Sequence, residues 1–184
     1  MKIDNASRDV DFIREIERIS GQKVADCYQC GKCSAGCPVG YAMDQLPDKL
    51  IRFVQLGLRE EALTSATPWL CAACETCTTR CPQEVELSRV MEALRKVAVR
   101  EKKVTPGNHI AEFYDIFTNN IRRFGRAFEP AMVASFNMKT RQPFKDMKNG
   151  MIMAAKGKAA FVPNSPRNVA EVRKIFERVR SEEK

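Results

Sequence analysis

No apolar run in this sequence is long enough to cross a bilayer. A span needs roughly 18 such residues, whereas the longest uninterrupted run is Trp69 to Cys74. No β-branched stretch alternates with period two, which argues against the small β-rich ferredoxin fold. G-x-G-x-x-G, the P-loop and any recognisable nucleophile motif are missing, so the chain offers no visible place for a nucleotide or substrate. The one histidine, His109, stands beside a Pro-Gly turn, where a surface or capping role is expected over metal ligation. Met1 to Asn5 carries neither an apolar core nor a small-residue cleavage site, so secretion is not expected. The 31 Lys and Arg outnumber the 23 Asp and Glu, a formal charge of +8, but no nucleic-acid-binding module accompanies the excess.

Cysteine, by contrast, is abundant and confined to two places. Cys27, Cys30, Cys33 and Cys37 form one set, and Cys71, Cys74, Cys77 and Cys81 the other. Each set reads C-x2-C-x2-C-x3-C followed by proline, Pro38 or Pro82, and every pair is offset by 44 positions. One ligand-bearing unit has been duplicated, with no cysteine left over. The spacing is that of the ferredoxin run for 4Fe–4S clusters, in which the fourth cysteine ligates the other cluster. A residue before proline is pushed towards extended backbone, which aims that cysteine away from its own turn. Cys27, Cys30, Cys33 and Cys81 are therefore expected at one cluster, and Cys71, Cys74, Cys77 and Cys37 at the other.

Other thiol chemistries fit less well. Structural zinc sites usually join two distant C-x2-4-C knuckles, a thioredoxin-like C-x-x-C needs a βαβ setting, and disulfides belong to exported chains. A zinc-binding structural or nucleic-acid module stands as the distant alternative; it would be colourless where a cluster protein is brown. Each cluster with its thiolates carries about −2, which Lys32, Arg80 and Arg52 are placed to offset, unless they are plain solvated residues. Gly31 and Gly36 suit a tight turn, although Glu75 and Arg80 take their places in the second motif.

The remaining pattern is helical. Phe12, Ile16 and Ile19 mark a helix over 7–20, capped by Ser7 and ended by Gly21. Leu50, Phe53 and Val54 line another over 46–58 with Pro47 in its first turn. A short helix at 60–65 and a longer one near 86–103, with Leu87, Met91, Leu94 and Ala98 inward, complete an all-α, two-cluster ferredoxin domain over 1–104. Trp69 is read as core. Thr105-Pro106-Gly107 punctuates the chain and opens a C-terminal extension over 105–184. Ile110, Phe113, Phe117, Ile121 and Phe124 mark a helix closed by Gly125. Between 126 and 163 the chain is rich in Phe, Met and basic residues, is interrupted by Pro130, Pro143 and Pro163, and lacks a clean period. Phe128, Met132, Phe136, Met138, Phe144, Met147, Met151, Met153 and Phe161 lie there with Lys139, Arg141, Lys145 and Lys148. This composition reads as a partner-docking arm, against the alternative of an irregular segment folded back on its own domain. Ser165-Pro166 then opens a last helix, striped by Val169, Val172, Phe176 and Val179.

Cys27-Tyr28-Gln29-Cys30-Gly31-Lys32-Cys33-Ser34-Ala35-Gly36-Cys37-Pro38 resembles the C subunit of soluble heterodisulfide reductases, most strongly over 20–100. The motif also fits iron–sulfur subunits of other anaerobic dehydrogenases and reductases. No plant-type cysteine run precedes it and no Cys-Cys-Gly domain follows, which counts against succinate, fumarate and glycerol-3-phosphate enzymes. The resemblance implies a cytoplasmic electron-transfer subunit with two 4Fe–4S clusters and no catalytic residues of its own. A flavin-containing A-type subunit would supply electrons, and a B-type Cys-Cys-Gly subunit would reduce a disulfide, that of coenzyme M and coenzyme B in methanogens. A hydrogenase or formate dehydrogenase would join through the larger complex. Neither nucleic acid nor a membrane is expected as a partner.

Overall fold

A computed structural model describes residues 8–105, 108–145, 147–158, 163, 166 and 168–182. Every regular element among them is a helix. Contacts divide the chain into one unit up to Asn108 and another from His109.

The first unit begins with α1 (Val10–Ser20), in which Phe12, Ile16 and Ser20 face inward. Asp9 caps it, accepting from Phe12 N–H at 2.8 Å, so the helix starts three residues later than its apolar pattern suggests. Ser7, the expected cap, lies outside the described residues. Gly21 ends the helix with φ 68° and donates to Glu17 O, a left-handed C-terminal position that glycine fills without a Cβ clash. Ile19 is only half-buried; Ser20 takes the inward position by donating its hydroxyl to Ile16 O at 2.7 Å.

The cysteine motifs hold short helices, α2 (Lys32–Ala35) and α6 (Thr76–Arg80). Between them run α3 (Pro47–Gln55), α4 (Arg59–Thr64) and α5 (Thr67–Leu70), and α7 (Leu87–Arg100) closes the unit. Helix α7 is the floor: α1, α3, α4, α5 and α6 all pack on it. Phe12, Ile16, Leu50, Ile51, Leu63 and Leu94 meet there with 2% exposure or less, each worth about 1.5–3 kcal/mol of transfer free energy. Trp69 is buried in the same core. At the rim, Arg59 Nε reaches Asp9 at 2.6 Å, its guanidinium pairs with Glu101, and it covers the Phe12 ring at 4.9 Å, tying α1, α4 and the end of α7 together.

The second unit holds α8 (His109–Phe124), α9 (Glu129–Lys139), α10 (Met147–Ala155) and α11 (Val169–Glu182). Both α9 and α11 pack against α8, and Gly125 (φ 77°) ends α8 by donating to Ile121 O at 2.7 Å. The stretch 126–163 thus contains two helices that its composition does not announce. Pro130 sits in the first turn of α9, where proline's missing N–H costs nothing. Helices α9 and α10 carry apolar residues all round and so have no stripe to read. Asn120 is buried at the turn into α9, accepting from Phe128 N–H at 2.7 Å and donating to Phe128 O at 3.2 Å. His109 is exposed in the first turn of α8 and pairs with Glu112 at 3.0 Å. Pro106, Gly107, Phe161 and Ser165 lie outside the described residues.

Candidate metal centre

The duplication extends to the backbone. Gln29 (φ 62°) and Ala73 (φ 49°) occupy matching positions, as do Gly31 (φ 74°) and Glu75 (φ 59°), and all four are left-handed. Such residues on either side of the middle cysteine reverse the chain direction twice within each motif. The L-residues among them lose local stability there. At Glu75 that loss is offset by its carboxylate, which accepts from Thr78 Oγ1 and Ser88 Oγ at 2.7 Å each. The same hydroxyls, Ser88 first, hold the Glu75 carboxyl below its ordinary range. Matching turns also carry the fourth cysteines, Cys37 N–H to Ser34 O at 3.2 Å and Cys81 N–H to Thr78 O at 3.1 Å.

Helices α2 and α6 pack together and bring the two motifs face to face. Cys37 lines one cavity with Cys71, Cys74 and Cys77, walled by Pro38, Val39, Met43, Leu87 and Met91. Tyr28 is exposed in the first motif, between Cys27 and Cys30. Loss of solvent around its hydroxyl, and then those thiols, raise the Tyr28 phenol above its usual range. Burial pushes the Cys33 thiol up to about 11 and raises that of Cys77, while hydrogen bonding from Thr76 lowers that of Cys74. A bound cation would invert this balance and deprotonate the thiols.

The donor set is thiol only, the soft chemistry that selects Zn, Cu(I) or iron–sulfur. Among the described residues no three Cys, His, Asp or Glu side chains close on one point as a single ion demands; zinc would need sulfurs about 2.3 Å from its centre.

Of the expected charge-offsetting residues, Arg80 lies against Gly36 of the other motif, Arg52 donates to Gln55 at 3.2 Å, and Lys32 opens α2 towards solvent. Two supports had no sequence signal. Asp44 accepts from Ser65 Oγ at 3.0 Å and from the N–H groups of Ala66 and Thr67 at 3.2 and 3.0 Å, fixing the start of α5 and hence the approach to Cys71. Burial pushes the Asp44 carboxyl up, but Thr67, Ala66, Ser65 and Gln45 together outweigh it and hold it below its ordinary range. The second support is a pair of glutamines, Gln29 and Gln55, joined at 3.3 Å behind Cys27.

Residues 23–85 of this all-helical unit match the 4Fe-4S dicluster domain family. The chain is also similar to C subunits of heterodisulfide reductases. It is 29% identical over 112 residues to the C subunit of the H(2):CoB-CoM heterodisulfide,ferredoxin reductase of Methanothermobacter marburgensis, covering 61% of this chain and 60% of that protein. It is 38% identical over 87 residues to a protein of Archaeoglobus profundus described as like the C subunit of heterodisulfide reductase, covering 47% and 46%. With the C2 subunit of the H(2)/formate:CoB-CoM heterodisulfide,ferredoxin reductase of Methanococcus maripaludis, identity is 26% over 158 residues, or 76% and 85%. The chain spans less than two thirds of the length of the first two of these relatives. Among the described residues no helix is long and apolar enough to cross a membrane.

Proposed function

We propose that the chain relays electrons singly through two 4Fe–4S clusters, from a flavin-containing subunit to a disulfide-reducing subunit of a heterodisulfide reductase complex. One-electron transfer is the chemistry such clusters supply. Cys27, Cys30, Cys33 and Cys81 hold one cluster, and Cys71, Cys74, Cys77 and Cys37 the other. The observation that carries this reading is the place of Cys37, in one cavity wall with three cysteines of the other motif. The protein's own residues do the rest: left-handed turns aim the thiols, Val39, Met43, Leu87 and Met91 exclude water from one side, and Arg80 offsets negative charge. The extension beyond residue 104 serves as the docking part, since Met138, Phe144, Met147 and Met151 stand exposed in it.

Anaerobic purification of the tagged chain from its own cells tests this. A flavin subunit and a Cys-Cys-Gly subunit are expected in the complex, with electron delivery to the mixed disulfide of coenzyme M and coenzyme B. A different dehydrogenase without a Cys-Cys-Gly partner would place the chain in another anaerobic reductase.

A further inference from the structure

We propose that Gln29, oriented by Gln55, donates a hydrogen bond to the sulfur of Cys27 and thereby raises the reduction potential of the cluster that Cys27 holds, selectively over the other. The proposal rests on the reading that both cysteine motifs carry 4Fe–4S clusters. It does not depend on which motif supplies the fourth ligand.

The orientation follows from counting donors. Gln55 Nε2 lies 2.7 Å from Val24 O and 2.7 Å from Cys27 O. Both are backbone carbonyls and can only accept, so the two N–H bonds of this amide are committed and the amide cannot be flipped. Gln55 Oε1 is then the acceptor for Arg52 Nη1 at 3.2 Å and for Gln29 Nε2 at 3.3 Å. An oxygen on Gln29 at that place would face another oxygen, so the second amide is fixed as well. Its remaining N–H points to Cys27 Sγ, with nitrogen and sulfur 3.5 Å apart.

Gln29 is also held at φ 62°, a conformation uncommon for a residue with a side chain. Cluster potentials depend on hydrogen bonds to sulfur. A neutral donor stabilises the sulfur more when the cluster has gained an electron, so it favours the reduced state. The matching residue of the second motif, Ala73, shares the left-handed backbone but has no donor. There the side-chain contact to sulfur comes from Thr76, whose Oγ1 is 3.3 Å from Cys74 Sγ. That contact is untouched by changes at Gln29 and serves as an internal reference.

The test is a redox titration of the anaerobically isolated, full-length protein carrying both clusters, followed by low-temperature electron paramagnetic resonance. Gln29→Met keeps the volume and removes the donor; Gln29→Gly removes it while relieving the backbone. In both, one cluster's potential should fall by about 59 mV, a tenfold change in its oxidised-to-reduced ratio for one electron. The other should stay in place. Resonance Raman should show the Fe–S(Cys) stretch of the shifted cluster moving to higher frequency as the hydrogen bond is lost. Two unshifted potentials, equal shifts in both clusters, or loss of iron from both variants would overturn the proposal; the last would make Gln29 a structural strut. Failure of the unchanged protein to show two separate one-electron centres would instead defeat the two-cluster reading.

Discussion

Arg80 lies across Gly36, the residue that occupies its own position in the other cysteine motif. A side chain at Gly36 would first meet the flexible guanidinium end and stem of Arg80, and φ there is −103°, open to any residue. Gly57 is different: its φ is 70°, and a Cβ would come within 2.7 Å of the Asp9 backbone N and O. Gly36→Ala is therefore expected to cost less than about 1 kcal/mol, whereas Gly57→Ala should exceed about 2 kcal/mol, the left-handed penalty adding to the overlap. Anaerobic thermal unfolding of the two variants checks the order; equal losses would contradict it.

The proposed exchange of fourth ligands has a spectroscopic consequence. Cys81→Ser should alter the signal of the cluster held by Cys27, Cys30 and Cys33, and Cys37→Ser that of the cluster held by Cys71, Cys74 and Cys77. Low-temperature magnetic spectra of both single variants decide this. If each change disturbs only the cluster of its own motif, ligation is local.

Asp44 supports the second motif from 27 positions away in sequence. Asp44→Ala removes the acceptor of Ser65 Oγ and Ala66 N–H and leaves the fully buried Thr67 N–H only Ser65 Oγ at 3.2 Å. A loss of about 2 kcal/mol is expected, with faster release of iron from the Cys71 side on dilution into chelator. Iron release at the unchanged rate would leave Asp44 with no part in holding the second cluster.

Both motifs and the core beneath them lie before Asn108. A chain ending there should keep its iron and its visible spectrum but fail to copurify with the disulfide-reducing subunit. Loss of iron on truncation would make residues 109–184 part of the cluster domain instead.

Long elements with one apolar face were legible in the sequence because burial repeats every third or fourth residue: Phe12 and Ile16 in α1, Leu50 and Val54 in α3, Met91 and Leu94 in α7. Helices α2, α5 and α6 have only four or five residues each, too short for any period to register. Helices α9 and α10 were hidden for the opposite reason, being apolar on every side. The eight cysteines were legible from spacing alone. The Gln29–Gln55 pair and the Asp44 support were not, because their partners stand 21 to 31 positions apart and meet only once the helices have packed. Glu75 shows the same limit, since its left-handed backbone depends on a hydroxyl 13 positions away on α7.

The central claim is that this chain holds two cubane clusters, and the most direct test is chemical. Iron and acid-labile sulfide, measured on the same anaerobic sample as protein by amino-acid analysis, should each come to about eight per chain. About four of each, or stoichiometric zinc in a colourless protein, would contradict it.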